Sequence, residues 1–231
     1  MTWILRFFHV VDGMPRWMQL MTILLGGYAA VMAALDTRSV DESLAVLLLW
    51  QMLSAATGFA RPAASGFFDP VLTRSDRRLI AVAHALHSVW PVALAWLVIG
   101  LVDVTVHGRT PLAFEPGRLA AFLFVSVVSW ALSLPAPRLV TGALWLFAIV
   151  AAATTRFGTE QYASLIARAD GSAGEAVHAT VLAAACPFLM LGNHIPARGA
   201  TATALVTLAA MAALAGAALI VGRDYPLEPS L

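Results

Sequence analysis

Residues 79–102 read LIAVAHALHSVWPVALAWLVIGLV, without one Asp, Glu, Lys or Arg. A helix needs about 20 mostly apolar residues to cross about 30 Å of hydrocarbon, and this run exceeds that length. Six further uncharged runs occur at 17–35, 43–60, 119–134, 139–155, 176–191 and 200–222. Together they predict an all-α polytopic membrane protein with about six transmembrane helices, built as one membrane domain over 1–231. The composition agrees: 60% of the 231 residues are hydrophobic and only 12% charged, where a soluble domain carries roughly 25% charge. The cations are all arginine, and a net charge of +1 offers no field to recruit nucleic acid. The single cysteine, Cys186, sits in an apolar run, which predicts a small buried hydrophobe and excludes both an intrachain disulfide and a thiolate-built metal site.

Before the first run, Trp3, Ile4, Phe7, Phe8 and Val11 recur at helical spacing with Arg6 and His9 beside them. That pattern describes a helix over 1–13 lying in the membrane interface, ended by Asp12, Gly13 and Pro15, rather than a cleaved signal peptide. Arginine is retained on the cytoplasmic side, and Arg6, Arg16, Arg61, Arg74, Arg77, Arg78 and Arg138 fall in connections of one parity, so the N-terminus is expected inside. The connections 36–42, 103–118 and 156–175 then fall outside. The sixth run is short, contains Pro187, and is followed by Gly192, Asn193, His194 and Pro196, which stop helices. If it spans, seven crossings leave the C-terminus outside. A broken or re-entrant hairpin before the last helix, with six crossings, is preferred because it puts Arg223 inside and because irregular backbone is tolerated at membrane depth when packed in protein.

The longest cytoplasmic connection, 61–78, is not a featureless polar loop. Asp69 followed by Pro70 starts a short helix, and Ser75 and Asp76 cap the third span. Phe67 and Phe68 precede that helix on the aqueous side, where something must cover them. Two coverings suit them. The rings dip into the interface while Arg74, Arg77 and Arg78 meet headgroups, or the capped helix docks into a groove of another protein.

The element Gly66-Phe67-Phe68-Asp69-Pro70 with Arg74, Arg77 and Arg78, the following Ala81-Val82-Ala83-His84, the interfacial N-terminal helix and the paired spans resemble the permease subunit of type-2 ABC exporters. The resemblance implies that 61–78 is a coupling segment contacting a separate cytosolic ABC ATPase through Phe67, Phe68, Asp69, Pro70, Arg74, Arg77 and Arg78. It implies a second, shorter cytoplasmic turn at 135–138 and a broken hairpin before the last span. It further implies a second permease subunit, identical or not, in the cell (inner) membrane. The function implied is ATP-driven export of a small or amphipathic substrate. The chain has no lysine, hence no phosphate-binding Gly-x-x-x-x-Gly-Lys-Ser/Thr loop, so ATP and Mg would be handled by the partner and no cofactor bound directly.

His84 and His87 share one face near the cytoplasmic end of the third span. With His178 they form a candidate polar site, and His84 with His178 offers two axial ligands for a haem between helices; the alternative is hydrogen bonding to backbone or water. No catalytic constellation and no metal-spaced cluster is legible. Every Asp and Glu is expected in a loop or at a helix end, which disfavours a proton relay and favours motion driven from outside the membrane. The rival function is an assembly or scaffold protein that binds haem, quinone or membrane lipid without ATP.

Overall fold

The computed structural model describes residues 16–36, 39–58, 77–108, 110–134, 138–169 and 171–223. Among them the chain forms α1 (Arg16–Leu35), α2 (Ser39–Gly58), α3 (Arg77–His107), a 3-10 turn (Leu112–Phe114), α4 (Pro116–Leu132), α5 (Arg138–Ala153), α6 (Arg156–Ala169), α7 (Ala173–Ala197) and α8 (Gly199–Arg223), with no strand. The fold is therefore all-helical, as the uncharged runs require. The interfacial helix expected over 1–13 and residues 61–76 lie outside the described residues; Arg77 and Arg78 open α3.

By length and composition α3, α7 and α8 are long and apolar enough to cross a membrane, and the bent pair α5–α6 makes a fourth candidate. Shorter apolar helices cover Gln19–Leu35 and Pro116–Leu132. α2 forms the centre. It is apolar on all sides, and Leu44, Leu47 and Leu48 are almost wholly buried against Val92, Trp96 and Ile99 of α3, Phe122 and Val125 of α4, and Leu182 and Phe188 of α7. The outer helices show the reverse pattern, with Phe147 of α5 71% exposed and Leu208 of α8 64% exposed. Such surfaces are stable against lipid and unstable against water. Polar side chains tie the helices from within: Trp50 Nε1 donates to Thr22 Oγ1 at 2.8 Å, Ser43 Oγ to the Ala29 carbonyl at 2.9 Å, and His107 Nε2 to the Ala33 carbonyl at 2.7 Å. Each such bond is worth about 0.6 kcal/mol in a membrane.

The carboxylates segregate. Asp36, Asp41, Glu42, Asp103 and Glu115 gather where α1 and α3 end and α2 and α4 begin, and Glu160 and Glu175 sit in the α6–α7 hairpin above them. Among the described residues the opposite end carries Arg16, Arg77, Arg78, Arg138 and Arg223 and no carboxylate. The arginine-retention rule counts arginines and not carboxylates, and the acidic end and its hairpin hold Arg118, Arg156, Arg168 and Arg198, so among the described residues the arginines favour the opposite end by five to four.

The sixth run is not broken at Pro187 or at residues 192–196. One helix, α7, passes through both Pro187 and Pro196. It begins in a capping box, with Ser172 accepting from the Glu175 N–H and the Glu175 carboxylate accepting from the Ser172 N–H, and the chain turns at Gly199, whose φ of 76° suits glycine. Each proline removes one ladder donor, a loss that buried helices in a membrane tolerate. The break before the last helix falls earlier, at Thr154–Thr155, where α5 and α6 meet at 96°. Thr155 Oγ1 accepts from the Gly158 N–H at 3.0 Å and so caps α6. A Cβ at Gly158 would lie 1.8 Å from the Ala152 carbonyl oxygen, so this corner requires glycine.

Although α7 is long enough to span, its contacts hold both of its ends at one end of the bundle. His178 meets Glu42, and Asn193 meets Arg118, which is paired with Asp41. His178 and Asn193 are about 22 Å apart along the helix, yet their anchors are consecutive residues at the start of α2. The ring of Pro196 also packs on Gly117, at the start of α4. α7 therefore lies across the acidic end. α6 runs back along it, with Tyr162 donating to the Ala183 carbonyl at 3.2 Å and the Phe157 and His194 rings 5.9 Å apart. α8 then leaves this end and packs along α4.

Candidate functional site

Two features of this frame have the makings of a site: the polar clamp under the hairpin and a groove between α1 and α3. In the clamp, Arg118 is 8% exposed and its guanidinium serves three partners. Nη1 pairs with Asp41, Nε with Glu115 at 3.0 Å, and Nη2 donates to Asn193 Oδ1 at 3.2 Å. The guanidinium presents five donors in a fixed plane and so reaches three acceptors spread around its edge. Beside it Glu42 accepts from Arg168 at 3.2 Å and lies 3.6 Å from His178 Nε2, while the Tyr28 hydroxyl bonds to His178 Nδ1. α1, α2, α4, α6 and α7 thus converge on two adjacent carboxylates. These groups satisfy one another, and the arrangement holds the hairpin down.

Asp103 is fully buried inside the last turns of α3, where Oδ2 accepts from the Leu112 N–H at 2.9 Å. With Trp96 Nε1 donating to the Ala113 carbonyl at 2.7 Å, it fixes the 3-10 turn against α3. Asp103 thus stands near a helix end, as expected of the carboxylates, but buried, where it holds the turn that follows.

The groove has a volume of about 560 Å³ and opens sideways on the bundle surface. Its α1 wall runs from Gln19 and Thr22 to Gly26, Gly27 and Ala30, and its α3 wall from His87 and Trp90 to Leu94 and Val98. Polar side chains stand at the end nearer the arginines, and apolar ones line the rest. A cavity of this size with few convergent polar groups is the usual form of a small-molecule site.

Of the residues predicted from sequence, Phe67, Phe68, Asp69, Pro70 and Arg74 lie outside the described residues, Arg77 is the first residue of α3, and Arg78 is exposed on its first turn. The three histidines are not brought together. His84 is buried and accepts from Trp130 Nε1 at 3.2 Å near the far end of α4, His87 lines the groove, and His178 is in the clamp. Arg118, at the clamp, and Trp130 are about 18 Å apart along α4, so His84 and His178 sit at opposite ends of the bundle. Among the described residues no cluster of His, Cys, Asp or Glu could hold a metal ion. Cys186 is fully buried, as its apolar run implies.

No protein-family model matches this chain, and no curated protein and no solved structure matches it. What the chain does must therefore be argued from its own residues.

The clamp is not legible in the sequence because all its pairs but Glu115–Arg118 are separated by 75 to 150 positions, as in Arg118–Asn193, Glu42–Arg168 and Tyr28–His178. One local signal was available. Asp41 and Glu42 stand in the first turn of α2, where the helix dipole favours anions, so the second helix begins at Ser39 and not at residue 43.

Proposed function

We propose that the chain is the permease subunit of an ATP-driven exporter of the ABC type, acting with a cytosolic ATPase and a second membrane subunit. The observation that carries this is the arrangement before the last helix: a hairpin laid across one end of the bundle, after which α8 returns to the arginine-rich end. That path leaves α1, α2, α3, α4, α5 and α8 running between the two ends. It also puts the end of α2, the start of α3, the end of α4 and the start of α5 at the end that carries Arg77, Arg78 and Arg138, where a cytosolic motor would act under the arginine rule. Conformational work would then enter at these helix ends and be resisted by the clamp at the other end. The chain itself supplies mechanical coupling; ATP and Mg belong to the partner.

The rival, an assembly protein binding lipid or quinone without ATP, gains support from the groove. Haem ligation gains none, since His84 and His178 are held apart and each is hydrogen-bonded or ion-paired elsewhere. Co-expression with neighbouring genes separates the two functions. The permease reading predicts that an ATPase co-purifies with the chain and that Asp69→Arg or Phe68→Ala releases it. A complex indifferent to both substitutions, or no ATPase at all, contradicts it.

A further inference from the structure

We infer that the groove between α1 and α3 is a binding site for a single-chain amphiphile entering sideways from the bilayer, its hydrocarbon chain along Gly26, Gly27 and Ala30 and its head beside Gln19 and His87. The dimensions select this occupant. The α1 wall from residue 19 to residue 30 is about 16 Å long, so a volume of about 560 Å³ corresponds to a cross-section of about 35 Å². A hydrocarbon chain fits along a slot this narrow, whereas a transmembrane helix with its side chains, about 10–12 Å across, would rest on the lips and leave the floor unfilled.

The walls account for the slot. At Gly26 the two helices approach until an added Cβ would lie 3.1 Å from Ala95 Cβ, closing the floor. One residue on, an added Cβ at Gly27 meets nothing within 4 Å, so the open space is made by a missing side chain. Ile23 and Leu94, 71% and 52% exposed, form the lips on the lipid-facing surface. Thr22, by contrast, is buried and bonded to Trp50, which fixes the polar end to the central helix. Polarity runs in one direction only, from Gln19, Thr22, His87 and Trp90 to Leu94 and Val98. The polar end is nearer the arginine-rich end of the bundle, where headgroups lie. An amphiphile aligned with its neighbours in that leaflet matches this gradient without inverting.

The site does not rest on an ATPase partner, so its failure and that of the permease function are distinguishable. The test uses the full chain in vesicles of phosphatidylethanolamine and phosphatidylglycerol containing a trace of a diazirine-bearing palmitate, followed by illumination and peptide mapping. Labelling is expected to concentrate on residues 23–30 and 94–98 and to fall at least fivefold there in Gly27→Leu, while labelling of the exposed α8 face at Leu205 and Leu208 is unchanged. Ala30→Leu fills the same slot from another position and guards against misfolding of the first variant; Gly27→Ala is expected to give an intermediate loss. Even labelling over α1, α3, α5 and α8, or labelling indifferent to both leucine substitutions in folded protein, identifies ordinary surrounding lipid and overturns the proposal.

Discussion

At the scale of single residues, Arg118 carries more of the account than any other side chain, because a buried guanidinium is stable only while its acceptors are in place. Removing Asp41 leaves it with Glu115 and Asn193 and a charge only partly compensated. Asp41 is about a third exposed and Glu115 still pairs with the guanidinium, so Asp41→Ala costs what the loss of a hydrogen bond to a charged group costs, about 1.5–3 kcal/mol. The expected result is a lower thermal midpoint in detergent for Asp41→Ala, with Arg118→Lys similarly destabilised because an ammonium lacks the planar fork. A double-mutant cycle between positions 41 and 118 measures the coupling directly. An additive cycle would place the two residues out of contact. Loss of Glu42, whose partner Arg168 is half-exposed where Arg118 is buried, is expected to matter less.

At the scale of elements, the α5–α6 corner gives a prediction whose sign differs from what propensity alone supplies. Gly158 lies inside a helix, where Gly→Ala ordinarily stabilises by about 1 kcal/mol. Here the new Cβ would overlap the Ala152 carbonyl, so Gly158→Ala is expected to destabilise by about 1–3 kcal/mol, read as a lower thermal midpoint and faster exchange of the amides of α6. Most elements were legible in the sequence. The uncharged runs at 17–35, 139–155 and 200–222 fall within a residue or two of α1, α5 and α8, because exclusion of charge from hydrocarbon is a one-dimensional signal. Where the helix ends differ from the uncharged runs, a charge lies inside the helix rather than at its boundary. Asp103 is buried within α3, and Asp41 and Glu42 belong to the first turn of α2. α6 was read as part of a polar loop because it is amphipathic rather than apolar. Its Tyr162, Leu165 and Ala169 at helical spacing, with Arg156 paired to Glu160 at i, i+4, were the available signs. Pro187 reads as a helix stop by a rule drawn from helices in water, yet α7 continues through it, as prolines in membrane proteins allow where the freed backbone group finds another partner.

At the scale of the whole molecule, the function depends on which helices pass between the two ends and on which side the hairpin rests. A run long enough to span and a run laid across one end have the same composition, and only contacts between residues far apart in sequence separate them. Those contacts put Ala173 and Arg198, the two ends of α7, on the same side, opposite Arg78 and Arg223. Single cysteines at Ala173, Arg198 and Arg78 in a Cys186→Ser background, labelled with a membrane-impermeant maleimide on intact and then permeabilised cells, test this most directly. The account predicts that Ala173→Cys and Arg198→Cys both react on intact cells and Arg78→Cys only after permeabilisation. Reaction of Ala173→Cys and Arg198→Cys from opposite sides would make α7 a true crossing and contradict the hairpin, and with it the permease reading it supports.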